Sequence, residues 1–438
     1  MIESTTPATR ERPSRVVAAS LTGTVIEWYE FFIYGTSSAL VFSKLFFPNY
    51  DSFVGTLLSL STFAIAFVAR PVGAAVVGHY GDRVGRKTLL IVTLCMMGGA
   101  TFLMGLLPTY ASIGIAAPIA LVVLRLIQGV SLGGEYGGAV LMSVEHAEPK
   151  RRGLFGGIIN TGASCGLILA TAVFFVLSYL PEESFMAWGW RVPFLLSAVL
   201  LVLGLVIRLK IAESPEFEQA KKRGKVQKLP LWTVITEHGG LVLLMAISYL
   251  PTGAVFYLSA VFSLSYGTET LGFSRSVMLG LVCGSNIIGI AGIVYGGALS
   301  DRISRQRVFM LGALGMVFVP WIWFFMMGTA NLWVMFLAYL VLFAPFCLSY
   351  GAMPAYYAQV FPVHIRYSGM SVGYGIGTVL GAGLSPLIAT ALLGTDDNWP
   401  AVAMFLSVLA LASFFATKMM PTVASDRDVV VKSPQPAQ

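Results

Sequence analysis

The chain has 438 residues, of which 56% are hydrophobic and only 11% are charged, and its formal net charge is +7. Soluble domains carry about 25% charged residues, so a chain this apolar could not cover a water-exposed surface with polar groups. The composition therefore excludes an ordinary soluble domain and indicates a polytopic membrane protein.

In chain order, the sequence is a series of apolar segments separated by short polar turns. The first run is too long for a signal-peptide core and has no convincing small-residue cleavage site, so we interpret it as an uncleaved helix. A helix crosses a hydrocarbon core of about 30 Å with about 20 residues, and every run is long enough. The twelve predicted segments lie at roughly 16–42, 53–79, 88–107, 113–143, 154–179, 190–209, 232–265, 275–299, 307–327, 332–358, 368–393 and 399–418.

A polar, lysine-rich loop divides these segments into two sets of six. We therefore predict an all-α membrane protein with two pseudo-symmetric six-helix bundles. The predicted divisions are an N-terminal tail (1–15), a first bundle (16–210), a central loop (211–231), a second bundle (232–419) and a C-terminal tail (420–438).

An internal repeat supports this division. The turn Gly78–Lys87 has a weaker copy at Gly297–Gln306, and the aspartates at the same place in the two copies, Asp82 and Asp301, are 219 residues apart. This separation is half of the chain, so the repeat predicts two related halves that carry the same turn.

The basic residues predict the orientation, since cytoplasmic loops are enriched in lysine and arginine. With the N-terminus inside, 23 of the 28 fall in cytoplasmic segments, three fall on the opposite side and two lie within apolar segments. The positive charge is thus a topology signal, and we expect no nucleic-acid partner. We predict a multi-pass protein of a bacterial cytoplasmic membrane with both termini inside.

No pattern of catalytic, metal-binding or nucleotide-binding residues stands out. The four cysteines lie in apolar segments without paired spacing, so they imply neither a disulfide framework nor a zinc site. The glycine-rich stretch 133–138 lies within an apolar segment and is better explained by close helix packing than by phosphate binding. We predict that the chain is not an enzyme and uses no metal or other cofactor.

The informative residues are the ionisable ones within the membrane segments, because each is costly there and is a functional candidate by default. All five lie in the first half, and positions 219 residues later carry no matching charge. Charges that only held the repeated fold together would be expected in both halves, so the asymmetry favours function. They are Glu27, Glu30, Arg70, Arg125 and Glu135.

Glu27 and Glu30 lie three residues apart and share a helix face, with Tyr34 one turn beyond Glu30. Burial favours the neutral form of a carboxyl group, and a nearby arginine favours the charged form. Such a group can load and release a proton as a cavity alternates between the two sides of the membrane. The alternative is a static ion pair with Arg70 or Arg125 that orients the helices.

Arg125 lies about 12 residues, or about 18 Å, from the outer end of the fourth helix, and Gln128 follows one turn later. Glu135 is roughly 80° around the helix axis from Arg125, so the two do not pair within the helix. Arg125 therefore needs an acid from the first helix or an anionic substrate, and a planar guanidinium suits a carboxylate. Arg70, which precedes Pro71, is a second carboxylate candidate, with a structural ion pair as the alternative for both arginines.

Several motifs together resemble the metabolite:proton symporter family of the major facilitator superfamily, over residues 15–420. The cytoplasmic turn alone would give only the superfamily. The motifs are Gly-Thr-Val-Ile-Glu-Trp-Tyr-Glu-Phe-Phe-Ile-Tyr-Gly (23–35), Ala-Arg-Pro-Val-Gly (69–73), Gly-His-Tyr-Gly-Asp-Arg-Val-Gly-Arg-Lys (78–87), Arg-Leu-Ile-Gln-Gly-Val-Ser-Leu-Gly-Gly-Glu-Tyr-Gly-Gly-Ala (125–139), Trp-Gly-Trp-Arg-Val-Pro-Phe (188–194), Glu-Ser-Pro-Glu-Phe (213–217) and Arg-Tyr-Ser-Gly (366–369).

The resemblance implies a substrate cavity between two rocking bundles and proton-driven uptake of a small organic solute. Family members take shikimate, 2-oxoglutarate, other carboxylates, or zwitterions such as proline and betaine, and the motifs here are nearest to the shikimate type. The fourth-helix motif, with Arg125 and Gln128, resembles the one associated with proton coupling. The cytoplasmic gate that the resemblance implies comprises Asp82, Arg83, Arg86, Glu145 and Arg152, with Asp301, Arg302 and Arg305 in the second copy.

Three departures from the family pattern matter. Glu30 replaces a more usual aspartate, and Gln359 replaces a common acid after the tenth helix. Ser304 and Gln306 replace the glycine and lysine of the turn, so we expect the second copy of the gate to be weaker. The short tail after Pro421 has no heptads, which counts against an osmolyte role.

Further substrate-binding candidates follow from polarity and helix position, although ordinary helix packing explains such residues equally well. They are Tyr34, Asn160, Tyr249, Tyr257, Asn286, Tyr350 and Tyr374. The alternatives to a carboxylate symporter are a transporter of zwitterions, a uniporter or exporter, and a non-transporting solute sensor. The expected partners are the solute, protons and the lipid bilayer, with a monomer as the functional unit.

Overall fold

A computed structural model describes most of the chain, and the central loop and C-terminal tail fall almost wholly outside the described part. The described residues are 13–84, 86–133, 144, 147–210, 231–361 and 366–421. Their side chains are described except at 13–20, 74–84, 86–90, 149, 207, 208, 210, 231–233, 235 and 367.

Twelve helical units follow one another in these residues. Eight are long and apolar enough to cross a membrane, a bent pair supplies a ninth, and two shorter apolar helices and the first helix complete the set. They are α1 (Pro13–Leu40), α2 (Ser52–Val84), α3 (Arg86–Leu106), α4 (Ala116–Leu132), α5 (Arg152–Leu177), α6 (Val192–Lys210), α7 (Leu231–Tyr257, Leu258–Phe262, Ser263–Ser265 and Tyr266–Thr270), α8 (Arg275–Arg302), α9 (Arg305–Gly315 and Val319–Met327), α10 (Leu332–Tyr357), α11 (Arg366–Gly377, Thr378–Gly383 and Ser385–Leu393) and α12 (Trp399–Met419).

Three helices differ in form from the uniform spans that the sequence predicts. The two parts of α9 meet at 41°, and Pro320, which has no backbone N–H, stands at the start of the second part. Wider π-helical turns interrupt α7 at Leu258–Phe262 and Tyr266–Thr270, and α11 at Thr378–Gly383. Hydropathy reports the length of an apolar run but carries no signal for such local changes in hydrogen bonding.

Helix pairing repeats between the halves with a shift of six helices. In the first half α1 packs on α5, α2 on α4 and α3 on α6; in the second, α7 packs on α11, α8 on α10 and α9 on α12. Between the halves, α5 packs on α8 and α2 on α11, which the same symmetry exchanges. The repeated packing agrees with the internal repeat in the sequence.

Glycines allow the closest of these crossings. A Cβ atom on Gly129 of α4 would collide with the backbone of Ala66 on α2. Between the halves, a Cβ atom on Gly157 of α5 would lie 3.1 Å from the carbonyl oxygen of Ile293 and 3.3 Å from the Cα atom of Gly297, both on α8. Small residues at such contacts let helices pack tightly where lipid gives no hydrophobic driving force between them.

Large apolar side chains cover the outward faces of the helices. Val176, Val199 and Phe325 are each more than half exposed. A soluble protein rarely exposes so much apolar surface, so these faces are suited to lipid. We call the end at which α2 and α8 end the predicted cytoplasmic end, and the other the predicted outer end.

Candidate functional site

Two arginines lie in the interior of the first half. Arg125 on α4 is fully buried, and Arg70 on α2 is 8% exposed. The ring centroid of Phe31 on α1 is 4.2 Å from the guanidinium carbon of Arg125 and 4.7 Å from that of Arg70. The rings of Tyr34 and Phe63 also face Arg125, at 4.0 and 5.0 Å. The attraction of each guanidinium to these ring faces compensates for part of the hydration energy that the cation loses on burial.

Neither arginine is paired with a carboxylate within the described residues. Arg125 donates from Nη1 to Oε1 of Gln128 and from Nη2 to the carbonyl oxygen of Phe63, the latter at 3.4 Å. Nε of Arg125 and both Nε and Nη2 of Arg70 have no hydrogen-bond partner in that part of the chain. A buried cation without an acid is costly, and its free donors point to an anionic ligand.

Glu30 is fully buried on α1 and meets a hydroxyl group rather than an arginine. Its Oε2 lies 3.3 Å from the hydroxyl oxygen of Thr101 on α3, and its Oε1 has no partner among the described residues. The static ion pair that the sequence left open, from Glu30 to Arg70 or Arg125, is therefore not formed. Gln128 joins Glu30 to Arg125 indirectly, because its Nε2 donates to Thr101 at 3.0 Å and to the backbone oxygen of Glu30 at 3.3 Å.

The other acids predicted for proton coupling are placed differently. Glu27 lies one turn before Glu30 and is partly exposed. Glu135 lies outside the described residues. Glu30 is thus the acid that hydrogen bonds of the described residues join to Arg125, by way of Gln128.

Tyr257 of α7 connects the two halves at this site. Its ring centroid lies 5.4 Å from those of Phe32 and Phe67 and 5.7 Å from that of Phe63, and its hydroxyl group lies beside the guanidinium of Arg70. Three aromatic residues of the first half therefore surround a tyrosine of the second, and this predicted substrate residue joins the arginine pair.

Three other predicted tyrosines line the second half near Tyr257. The rings of Tyr249 on α7 and Tyr374 on α11 are 4.8 Å apart. Tyr350 on α10 stacks on Phe346 at 5.1 Å. We call Tyr249, Tyr350 and Tyr374, which lie on the second-half side of Tyr257, the aromatic wall.

The two predicted asparagines donate hydrogen bonds to backbone oxygens. Asn160 on α5 donates to the backbone oxygen of Tyr350 at 2.7 Å, which links the two halves. Asn286 on α8 donates to the carbonyl oxygen of Val282 in its own helix at 2.9 Å. These bonds suit helix packing, so their role as substrate ligands stays a prediction.

At the predicted cytoplasmic end, Asp301 bridges the halves. Its carboxylate accepts hydrogen bonds from the backbone N–H groups of Gly153 (2.8 Å) and Leu154 (2.9 Å) at the start of α5, and its Oδ1 is 3.3 Å from Arg305. A carboxylate at a helix N-terminus binds two unpaired donors and complements the helix dipole. The second copy of the turn, which we expected to be weaker, thus holds the first half directly.

The other predicted gate residues contribute less to this picture. Arg152 is half-buried near Arg305, and Arg302 is exposed. The side chains of Asp82, Arg83 and Arg86, and all of Glu145, lie outside the described part of the structure. The first copy of the gate therefore stays a prediction.

At the predicted outer end, a polar cluster that the sequence did not reveal joins the halves. Glu182, after α5, forms an ion pair with Arg275 at the start of α8 and lies 3.7 Å from Lys44. Thr56 on α2 is 3.2 Å from both carboxylate oxygens of Glu269 on α7. From the sequence, these charged residues could be assigned only to loops. No sequence feature predicts which loops contact each other.

A family model described as the Major Facilitator Superfamily matches residues 21–366 and 269–436. The chain belongs to this superfamily. Its fold is accordingly twelve helices in two six-helix bundles, and it is a transporter, not an enzyme.

Curated relatives cover nearly the whole chain. The inner membrane metabolite transport protein YhjE of Escherichia coli (strain K12) is 41% identical over 404 residues, 91% of each chain. The shikimate transporter of the same strain is 35% identical over 417 residues, 93% of this chain and 94% of the relative. The proline/betaine transporter of that strain is 30% identical over 428 residues, 94% of this chain and 83% of the relative. The chain is thus a multi-pass membrane transporter of metabolites.

Solved structures agree on the fold. A D-xylose-proton symporter matches with a TM-score of 0.74 and 18% identity, over 93% of this chain and 98% of the symporter. The xylose transporter XylE of E. coli, in a partially occluded inward open conformation, matches with a TM-score of 0.73 and 16% identity, over 94% and 98%. At such identities the likeness concerns the fold alone.

Proposed function

We propose that this transporter is a proton-coupled symporter that takes up a small organic carboxylate, such as shikimate or 2-oxoglutarate, by alternating access. The observation that carries the proposal is the pair of buried arginines without a carboxylate partner in the described residues. A substrate carboxylate would accept hydrogen bonds from the unpaired N–H groups of Arg125 and Arg70. It would also offset their positive charge. The relative named as a shikimate transporter supports the same substrate class.

Glu30 is the proposed proton carrier, with Glu27, Glu135 and Arg125 as supporting members of the coupling set. A buried carboxyl group without an ion pair among the described residues can take up a proton without leaving a buried cation unpaired. The proton gradient supplies the energy in this proposal, and no cofactor takes part.

Contacts between the halves support the proposal of alternating access. The Thr56–Glu269 contact joins the halves at the predicted outer end, and Tyr257 joins them beside the arginines. Uptake requires these contacts to separate while the predicted cytoplasmic gate, including Asp301, stays in place. A rocking motion of two rigid bundles would exchange the two arrangements.

We further propose a location in a bacterial cytoplasmic membrane, with both termini inside and a monomer as the functional unit. The relative YhjE is named as an inner membrane protein. Labelling of single cysteines introduced into the terminal tails, by an impermeant maleimide in intact cells, tests the orientation. Labelling of either tail from outside would contradict it.

Uptake of labelled shikimate into proteoliposomes, with and without an inward proton gradient, tests the main proposal. Accumulation that depends on the gradient and is lost with an uncoupler is the expected result. Glu30→Gln should abolish accumulation but keep shikimate exchange, since a glutamine cannot carry the proton. Accumulation by that variant would refute the role of Glu30, and uptake that ignores the gradient would indicate a uniporter.

A zwitterionic solute is the second candidate, favoured by the aromatic wall that Tyr249, Tyr350 and Tyr374 form. Aromatic faces attract quaternary ammonium groups while an arginine binds the carboxylate. Competition by proline and betaine against labelled shikimate separates these substrate classes. A non-transporting sensor would instead bind a solute, detected as a thermal shift, without moving it across the membrane.

A further inference from the structure

Thr101 on α3 stands at the centre of the polar network around Glu30. Its hydroxyl oxygen accepts a hydrogen bond from Nε2 of Gln128 at 3.0 Å. The same oxygen lies 2.8 Å from the carbonyl oxygen of Met97 and 3.3 Å from Oε2 of Glu30, two groups to which it can donate. Thr101 is fully buried, so no water competes for these positions.

One hydroxyl hydrogen cannot serve both acceptors fully at once. When Glu30 is ionised, its carboxylate is the stronger acceptor, because hydrogen bonds to charged groups are stronger than neutral ones. When Glu30 binds a proton, that advantage is lost and the hydrogen turns to the carbonyl oxygen of Met97. The hydroxyl group thus has two orientations, and the protonation state of Glu30 selects between them without any transfer of the threonine hydrogen.

Gln128 links the orientation of the Thr101 hydroxyl group to Arg125. The two hydrogens of its Nε2 go to Thr101 and to the backbone oxygen of Glu30, and its Oε1 accepts from Arg125. The opposite amide flip would place NH₂ against the guanidinium and oxygen against the carbonyl of Glu30. The network therefore fixes the orientation of the amide, and a change at Thr101 acts on the group that holds Arg125.

Gly98, one turn before Thr101 on α3, makes room for the carboxylate. A Cβ atom there would lie 3.2 Å from Oε1 of Glu30 and 3.0 Å from Leu201 on α6. The face of α3 that meets Glu30 therefore combines a gap at Gly98 with a hydroxyl group at Thr101. One carboxylate oxygen of Glu30 therefore faces Gly98, and the other faces Thr101.

On α3 and α6, the described side chains beside Glu30 and Gly98 are Thr101 and Leu201, which do not titrate. Titratable groups on α1 itself and on its neighbouring helices include Glu27, Tyr29 and Tyr34 on α1, Arg70 on α2, Arg125 on α4, Cys165 on α5 and Tyr257 on α7. Among these, Arg125 is the one joined to Glu30 through Gln128 and Thr101.

We propose that Thr101 is a positioning residue that couples protonation of Glu30 to the hydrogen bonding of Arg125, and hence proton loading to substrate binding. The proposal rests on the proposed proton-coupled function, and no sequence motif singles out Thr101. Thr101→Val keeps the shape of the side chain and removes the hydroxyl group. Thr101→Ser keeps the hydroxyl group and serves as the rescue.

Infrared difference spectroscopy of the purified full chain tests the first link without any substrate. The carboxylic-acid band that titrates in the wild type and is missing in Glu30→Gln belongs to Glu30. In Thr101→Val this band should persist to a pH about one unit higher, the size expected for losing one hydrogen bond to a charged group. Thr101→Ser should titrate like the wild type.

Thr171→Val is the matched control, since Thr171 on α5 is equally buried and, among the described residues, bonds to carbonyls of its own helix, Leu167 and Ile168. It should not move the band. If Thr101→Val fails to insert into the membrane, Thr101→Ala, which also lacks the hydroxyl group, replaces it in the test. An unchanged midpoint in the hydroxyl-free variant would overturn the proposal, as would Glu30→Gln removing no titrating band.

Addition of shikimate tests the second link. In the wild type, binding should move the midpoint of the Glu30 band, and in Thr101→Val this ligand-induced shift should shrink at least threefold. An equal shift in both proteins would overturn the coupling through Thr101. If shikimate causes no shift in the wild type but the substrate-free result holds, the substrate assignment is wrong while the contact of Thr101 with Glu30 stands.

Discussion

Replacing Arg125 by methionine separates a functional arginine from a structural one. A structural ion pair and a substrate anchor predict the same loss of transport, but they predict different changes in stability. Breaking a buried ion pair costs about 3–5 kcal/mol, because it leaves one charge unpaired. The described residues place no carboxylate against Arg125, so this penalty should be missing.

The contacts of Arg125 give the expected size of the effect. Arg125→Met removes contacts with three aromatic rings at 4.0, 4.2 and 5.0 Å, each worth about 2 kcal/mol at a desolvated site. It also leaves Oε1 of Gln128 unpaired, which costs about 1–3 kcal/mol. Against these losses stands the removal of a buried cation whose desolvation costs several kcal/mol. The opposing effects should leave the free energy of unfolding changed by less than about 2 kcal/mol.

Arg191→Met is the matched comparison. Arg191 donates to the carbonyl oxygens of Gly105 (2.8 Å) and Leu107 (2.6 Å) at the end of α3 and packs on Trp190. Its loss should lower the stability by about 2 kcal/mol or more, since hydrogen bonds from charged donors are worth about 1.5–3 kcal/mol each.

Thermal unfolding of the substrate-free proteins in detergent, together with shikimate uptake, provides the assay. Arg125→Met should lose uptake and melt close to the wild type, whereas Arg191→Met should melt lower and retain uptake per folded molecule. Arg125→Lys should weaken shikimate binding by about 10- to 100-fold, because one charge-assisted hydrogen bond is lost. A larger drop in melting temperature for Arg125→Met than for Arg191→Met would refute the assignment of Arg125 to substrate.

Three further predictions concern the helix contacts. Asp301→Ala should lower the free energy of unfolding by about 0.5–2 kcal/mol, because two N–H groups at the start of α5 lose their acceptor; equal melting temperatures for the variant and wild type would contradict this. Thr56→Val should increase labelling of a Ser38→Cys site by an impermeant maleimide from outside, as the contact with Glu269 is lost; unchanged labelling would show that this contact does not hold the outer end closed. Gly129→Val should destabilise the fold by more than about 3 kcal/mol through collision with α2, measured against Gly99→Val, whose Cβ position is open; similar expression and melting of both variants would disprove that packing.

The sequence by itself determined the class of fold. Twelve apolar runs, a polar loop between the sixth and seventh, and the repeated turn were enough, because lipid leaves a spanning chain few choices beyond the helix. The sequence also identified Glu30, Arg70 and Arg125 as candidate functional residues, because a charged residue within a membrane segment is costly and therefore rare. Family motifs then predicted the transporter class, which the family match confirms.

The sequence could not determine which side chains these charges meet. Thr101 lies 71 residues from Glu30 and 27 from Gln128, in an apolar run where one hydroxyl group carries no signal. The crossing of α1, α3 and α4 brings the three together, and it also leaves Glu30 without the ion pair to an arginine that the sequence left open. Long-range contacts between helices depend on crossing angle and rotation, which hydropathy does not record.

The second copy of the turn shows the same division between sequence and structure. Ser304 and Gln306 in place of glycine and lysine predict a weaker gate than the first copy, and this stays a prediction because the first copy's side chains lie outside the described part. Asp301 of the second copy holds its carboxylate on the start of α5. Gln306 instead donates to backbone oxygens of Thr417 and Met420 at the end of α12. The sequence determined which charged and polar groups are present at each depth of the membrane. Only the tertiary structure decided their partners, because a buried polar group is stabilised by whichever donor or acceptor the packing of other helices brings within reach.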